Sequence, residues 1–433
     1  PHFEKMLYDN ALLARVYAHV WRRTGSVQAR RVARETCAWM IAELGTAEGG
    51  FASALDADSD GAEGLFYTWT PDELTGVLGA EDGEYAAAAF GVTSAGTFEH
   101  GRSVLQRRAE PGDPAWFDRI RAALLAARGQ RVRPGRDDKV VAAWNGLAIA
   151  ALAETGLLLG EPAFVSAAQE AAALLARVHL SGGRLARTSR DGVASGSAGV
   201  LEDYGCVAEG LLVLSGVTGE ARWLTLAGEL LGTALARFGD GSGGFYDTAD
   251  DGEELVYRPA DPTDGPTPSG TFAVAGALLS YSALTGSMEH REAAAAALRV
   301  LGPIAGQFPR AAGSGLAVAE ALISGPAEIA IVGPAGDPRT TALHLAALQA
   351  APPGAVLALG DGGTGDGGTG DGGTGDGGPG GGGRGGGGPG GPIPLLEGRG
   401  LVGGAPAAYV CRGFACLAPV TEPEALRAAL LDG

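Results

Sequence analysis

Apolar residues recur at helical spacing through most of the chain. In residues 4–23, Met6, Leu7, Ala11, Ala14, Val16, Tyr17 and Val20 fall broadly on one side. Residues 28–44 continue with Val32, Cys37, Met40, Ile41 and Leu44. The same spacing predicts helices at about 138–158, 162–179, 200–216, 219–237, 268–285 and 288–305. Residues 49–69, GGFASALDADSDGAEGLFYTW, mix glycines with Phe, Tyr and Trp and read as a long loop with a β-hairpin.

The pattern repeats. Gly-Gly pairs fall at 49–50, 182–183 and 243–244. The last interval is 61 residues; the first is 133, close to two such units, which places an unmarked boundary near 98–104. A period near 60 of helix, helix and Gly turn predicts stacked helical hairpins, as an open solenoid or a closed α/α toroid. After residue 325 the character changes. Strand-like runs at 327–333 and 355–359 flank a helix that begins near Asp337, a β-α-β signal. Strand character resumes at 407–411, and EPEALRAALL closes with a helix. The expected organisation is a helical domain, 1–325, and a small α/β element, 326–433. Within the latter, the Gly/Pro tract 360–392 is expected to be disordered.

Composition narrows the partners. With 45% hydrophobic residues the 433-residue chain can bury a sizeable core. Its 32 basic and 50 acidic side chains give a net charge of −18, which argues against nucleic acid or an anionic membrane surface as a partner. No signal-peptide pattern opens the chain, and Glu, Asn or Asp interrupts the apolar helices before membrane-spanning length, so a cytoplasmic protein is expected. The oligomeric state is left open. Cys37, Cys206, Cys411 and Cys416 include no C-x-x-C pair. Cys411 and Cys416 flank Arg412 and Phe414 and read as buried thiols or, beside Arg412, as a reactive thiol. Metal-binding His motifs and nucleotide-binding glycine loops are absent, so neither metal nor cofactor is expected.

Candidate chemistry lies in polar residues that interrupt the apolar pattern. Asp56, Asp58, Asp60 and Gly61 match positions 1, 3, 5 and 6 of a calcium loop, but position 12 falls on Tyr67 where a Glu is required. Asx-turns or a polar cavity wall are the alternatives. Asp137, Asp138 and Lys139 precede Trp144, Asn145 and Gly146 at the start of one helix. Glu202, Asp203 and Tyr204 start another, and Asp261, Asp264 and Ser269 precede a third. In a toroid, alternate helices line the hole. Their N-terminal ends would gather Asp137, Asp138, Glu202, Asp203 and Asp264 around one mouth. Helix capping is the plain alternative for each acid. The first helix carries His2, Glu4, Lys5, Tyr8 and Asp9, as a solvated face or as part of a site.

PHFEKMLYDNALL, ALDADSDGAEGLFYTWT, DDKVVAAWNGLAIAAL, LEDYG, DGPTPSG and YVCRGFAC, in this order, resemble the spermatogenesis-associated protein 20 / YyaL-type thioredoxin-domain-containing family over residues 1–358 and 393–431. The resemblance implies a mostly α fold: an α/α toroid of helical hairpins similar to six-hairpin glycosidases and N-acylglucosamine 2-epimerases. In that family a thioredoxin-like domain precedes the toroid, so this chain is expected to start inside the toroid and to be N-terminally truncated. Thr271 stands where the family usually has Asn, and 360–392 looks like an insertion.

The implied function is a carbohydrate-active or sugar-binding protein with a carbohydrate or other small-molecule ligand. Asp138 or Asp203 would act as general acid or base. Lys139 and Arg258 would stabilise negative charge, and Trp144, Tyr204 and Tyr67 would stack on a sugar ring. His2, Glu4, Tyr8, Asp56, Asp58, Asn145, Glu202 and Asp264 complete the expected substrate site. The alternative is a non-catalytic scaffold or redox-partner module whose chemistry lies in the thioredoxin-like domain.

Overall fold

The computed structural model describes residues 2–361 and 393–432. Its helices are α1 (Leu7–Thr24), α2 (Val27–Trp39), α3 (Pro71–Leu78), α4 (Ala80–Phe90), α5 (Pro114–Arg128), α6 (Ala142–Leu159), α7 (Pro162–Leu174) and α8 (Leu201–Thr218). They continue as α9 (Ala221–Phe238), α10 (Gly270–Thr285), α11 (Met288–Ala297), α12 (Leu301–Gln307), α13 (Gly313–Ser324), α14 (Pro338–Ala350) and α15 (Pro423–Asp432). The chain divides into two compact units, Pro1–Met6 with Ser53–Asp137, and Leu7–Ala52 with Asp138–Gly433. That division falls elsewhere than a break at 325/326.

In the first unit, α3, α4 and α5 enclose Trp69, Leu74, Phe90, Ile120 and Leu124. A capping box opens α3. Thr70 Oγ1 accepts the Glu73 N–H at 3.2 Å, and the Glu73 carboxylate accepts the Thr70 N–H at 2.9 Å. Lys5–Met6, Ala54–Leu55 and Arg136–Asp137 form an antiparallel sheet that joins the distant segments of this unit. The boundary expected near 98–104 lies here instead: Ser103–Val104 pairs with Thr68–Trp69. The long first interval therefore holds an inserted unit and one hairpin, α6 with α7, not two hairpin repeats. The DADSDG segment is itself a hairpin. Asp60 (φ 52°) and Gly61 (φ 78°) make the turn between Asp58–Ser59 and Ala62–Glu63. Two successive positive φ angles suit an Asp-Gly type I′ turn.

The second unit is built on α6, α8 and α10, packed side by side, with α1 beside α6 and α13 beside α10. α7, α9 and α11 each pack on the inner helix before them, and α2 packs on α1. α6 is apolar all round because nearly every one of its residues is buried. By length and composition it could cross a membrane, but here it is the core helix. The inner helices run parallel with their starts level. A Cβ on Gly146 would lie 2.4 Å from the Cys206 carbonyl oxygen, and one on Gly205 2.6 Å from the Val274 nitrogen. Glycine is what lets these backbones touch. This is the side-by-side stacking of helical hairpins that the repeat predicts, the arrangement found in α/α toroids. On α1 the buried stripe is Leu7, Ala11, Ala14 and Ala18, whereas Val16 and Val20 face outward.

The C-terminal element carries a four-stranded sheet in the order Val356–Gly360, Glu328–Val332, Ala407–Arg412, Ala415–Cys416. The first pair is parallel and the others antiparallel, as a β-α-β start requires. Ile329, Ile331, Leu343, Ala346, Leu426 and Leu430 form its core with α14 and α15. Of the tract expected to be disordered, Gly360 ends a strand, and residues 362–392 lie outside the described residues. The thiol expectation for the two C-terminal cysteines is corrected. Cys411 and Cys416 face each other across the hairpin, Cα–Cα 3.9 Å, and form a disulfide. Arg412 turns away from them, to the carbonyls of Ser324 and Gly325.

Candidate functional site

The acids expected at the mouth are held by backbone. Asp203 is fully buried. Its Oδ1 accepts the Ala143 N–H at 3.0 Å, and its Oδ2 accepts the Val200 N–H at 2.9 Å and Arg187 Nη1 at 3.0 Å. One carboxylate thus caps two adjacent inner helices. Burial pushes it up to about 6, against the opposing pull of Arg187 and the two N–H groups. Asp264 does a similar job further along. It accepts the Ser269 N–H at 2.9 Å and the Ser314 N–H at 2.7 Å, linking the starts of α10 and α13. Asp138 and Lys139 do not start a helix. They lie between the strands Arg136–Asp137 and Val140–Val141, and α6 begins at Ala142. Asp138 lies 3.9 Å from Arg190.

The polar and aromatic candidates are placed as follows. Asn145 is wholly buried. Its amide accepts the Phe51 N–H at 2.9 Å and donates to the carbonyls of Phe51 at 3.1 Å and Val141 at 3.0 Å. It therefore clamps the returning chain instead of facing a cavity. Tyr204 is a core residue against Phe238, its hydroxyl accepting the Leu185 N–H at 3.0 Å, so neither ring face is open to a sugar. Trp144 meets Tyr8 edge-to-face at 4.8 Å. Arg258 stacks on Tyr246 at 4.1 Å and bonds the Thr248 carbonyl, so it braces its own loop. Glu202 lies 3.6 Å from Arg187, and its Oε1 is buried with no hydrogen-bond partner.

His2, Glu4, Asp56, Asp58 and Tyr67 belong to the first unit. His2, Glu4, Asp56 and Asp58 are exposed. Asp56 Oδ1 accepts the Asp58 N–H at 3.2 Å, an Asx-turn. The Tyr67 ring carries Lys5 Nζ at 4.5 Å and Phe3 at 6.2 Å. Among the described residues no group of three or more His, Cys, Asp or Glu is arranged for a metal ion.

The structure brings together a different set. α1, α6, α8, α10 and α13, with residues 348–357, enclose a cavity of about 480 Å³ in the second unit. Its wall includes none of the site residues expected from the sequence. Leu12, Leu212, Val213, Phe272 and Leu348 make it largely apolar, and Arg15, His19, Arg22, Glu154, Glu209 and Ser280 supply the polar groups. Arg15 Nε donates to Glu154 at 2.8 Å and its Nη2 to Glu209 at 3.3 Å. His19 Nε2 lies 2.5 Å from Glu154, and Ser280 Oγ donates to Glu209 at 3.3 Å. Arg22 bonds the Leu348 carbonyl at 2.9 Å.

Burial raises the Glu154 carboxyl, but Arg15 and then His19 outweigh it and bring it down to about 2. The two glutamates in turn hold Arg15 above its ordinary value against burial. The Glu154 side chain is only 7% exposed, whereas those of Glu209 and Arg15 are 28% and 30% exposed and remain reachable. The signal for this set is a Glu beyond the first turn in each of two apolar helices, Glu154 in α6 and Glu209 in α8. Arg15 and His19 carry no such signal, as polar residues of an amphipathic helix.

No family model matches the chain. Among solved structures it is similar to the cellobiose 2-epimerase of Bacillus thermoamylovorans B4167, with TM-score 0.42 and 7% identity over 68% of this chain and 60% of that one. It is also similar to a D-mannose isomerase, with TM-score 0.34 and 13% identity over 68% and 74%. In sequence it is 30% identical to spermatogenesis-associated protein 20 of Homo sapiens over 474 aligned positions, 99% of this chain and 58% of that protein. The Mus musculus protein of the same name is 33% identical over 66% of this chain and 42% of its own length. The chain thus spans about half the length of these relatives. It is a homologue of the proteins named spermatogenesis-associated protein 20, as its motifs imply.

Proposed function

We propose that the cavity of the helical unit binds a small hydroxyl-rich ligand of the carbohydrate class, with Glu209, Arg15 and His19 as its polar contacts. One observation carries this reading: a carboxylate, a guanidinium and an imidazole, each partly exposed, line one cavity of about 480 Å³ whose lining is otherwise largely apolar. Sugars present alternating donors and acceptors together with apolar C–H faces. Pockets of a few hundred Å³ with a few convergent polar groups are the usual form of small-molecule sites. For turnover of a glycosidase or epimerase type, Glu209 is the carboxylate placed to carry a proton. The proposal concerns this unit, not the full length of its relatives.

The test is thermal denaturation against mono- and disaccharides. A ligand at about 100 times its Kd stabilises by roughly 2.7 kcal/mol. A rise in melting temperature with one sugar, lost in Glu209→Gln, supports the reading. No rise with any sugar, or a rise that Glu209→Gln leaves intact, overturns it.

A second reading rests on the unpartnered Glu202 Oε1 beside Arg187. It places the ligand at the helix starts, as the sequence suggested. A sugar-induced rise lost in Glu202→Gln but kept in Glu209→Gln would favour it.

A further inference from the structure

Cys411 is 1% exposed and lies on the third strand of the C-terminal sheet, whereas Cys416, its partner across the hairpin, is exposed. The turn between them passes through Gly413 (φ 54°) and Phe414 (φ 64°). A left-handed Phe persists only where its surroundings hold it. Here its N–H donates to the buried Glu328 carboxylate at 2.7 Å, and its ring rests on Gly286 after α10. The hairpin is thus held from both sides by groups other than the disulfide.

The second observation is Arg399. One terminal nitrogen, Nη1, is tied to the carbonyls of Leu395 and Glu397. The other, Nη2, points at the disulfide, 3.0 Å from Cys416 Sγ and 3.4 Å from Cys411 Sγ. Its Nε–H is buried with no acceptor. A neutral disulfide is a weak acceptor for a guanidinium. A thiolate is a strong one.

We propose that Cys411 and Cys416 form a thiol–disulfide exchange site that accepts two electrons from a dithiol. One thiolate of the dithiol attacks the exposed Cys416 Sγ. The Cys411–Cys416 bond breaks, and Cys411 leaves as a thiolate beside Arg399. The second thiol of the dithiol loses its proton and attacks the mixed disulfide, releasing the Cys416 thiolate. The dithiol departs as a disulfide, and the two cysteines take up the two protons it lost. Departure is faster the more the leaving thiolate is stabilised, which is the contribution of Arg399. The other charged groups near the hairpin are Glu328 on the adjacent strand, Arg291 on α11, which acts on Glu328, and Arg412, which faces away.

The experiment is reduction of the full chain by dithiothreitol without denaturant. It is followed by an acid quench and by alkylation in denaturant with a mass-tagged maleimide. Cys37 and Cys206 are buried free thiols and serve as an internal count. Two further thiols should appear while the circular dichroism spectrum stays unchanged, and oxidised glutathione should remove them again. Cys416→Ser should give no such pair. Arg399→Ala should slow reduction about tenfold and change its pH profile, and Arg399→Lys should restore most of the rate. A disulfide that resists dithiothreitol until urea unfolds the chain overturns the proposal. So does an Arg399→Ala protein with the rate and pH profile of the parent.

Discussion

Asp203 lies on α8, yet its Oδ1 accepts the N–H of Ala143 at the start of α6, 60 residues earlier, at 3.0 Å. A side chain usually caps its own helix. This one caps its own through Val200 and its neighbour's through Ala143, so the starts of two inner helices share one charge.

Asp203→Asn should therefore unfold more easily, although Asn is a good cap in isolation. An amide has one acceptor oxygen for three donors, and its NH2 would face an N–H or the Arg187 guanidinium. Breaking a buried charged pair costs about 3–5 kcal/mol. Urea denaturation should show a loss of that order. A change under about 0.5 kcal/mol would mean that the three donors find other acceptors.

Gly146→Ala should lower the melting temperature. The added Cβ would lie 2.4 Å from the Cys206 carbonyl oxygen, and main chain cannot rotate away as a side chain can. Overpacking of this kind costs about 1–3 kcal/mol. An unchanged melting temperature would show that α6 and α8 can separate freely.

Acid stability should depend on Glu154. Its carboxyl is near 2 in the folded chain against the ordinary 4.5, so between those values the unfolded chain binds more protons. Its stabilisation, about 3 kcal/mol, is complete above 4.5 and is lost as pH falls toward 2. Asp203 acts in the opposite sense. Its folded value is raised from 3.8 to about 6, so its contribution is greatest below 3.8 and declines as pH rises to 6. Glu154→Gln should flatten the acid limb of a stability-against-pH curve. A limb that keeps its full slope would assign it to other carboxylates.

Asn145→Leu should be nearly as damaging as a large core deletion. It strands the Phe51 N–H and C=O in a dry interior, at about 1–3 kcal/mol for each unsatisfied group. Amide exchange at Phe51 should accelerate in the variant if the clamp is what holds that segment. Unchanged exchange would contradict the clamp.

Helices α1, α2 and α6 to α11 and the α/β element are legible because periodicity is local: α8 and α10 begin within two residues of their expected starts. The site was not. A polar residue in an apolar helix signals that something meets it, but the sequence does not say what. For Asn145 the partner is the backbone of Phe51, 94 residues earlier, and for Glu154 it is Arg15, 139 residues earlier. Acids recur before or at the starts of α8 and α10, at Asp203 and Asp264, but not at the start of α6. The cause of the recurrence is linkage of adjacent helix starts, a relationship no single helix displays. The inserted unit is not legible because an interval of 133 residues fits two repeats as well as one hairpin and an insertion.

That insertion also orders events during synthesis. α1 packs on α6, and residues 53–137 of the other unit are translated between them. At about 5–20 residues per second, the ribosome leaves α1 waiting on the order of 10 s for its partner. Throughout that interval Ala14, Ala18 and the Arg15 side chain have no α6 to meet. Nascent chains stalled before residue 142 should be cut by protease within α1, and chains stalled well beyond α8 should resist. The hairpin of α1 and α2 thus leaves the ribosome well before it becomes stable, and a chaperone would find its substrate there.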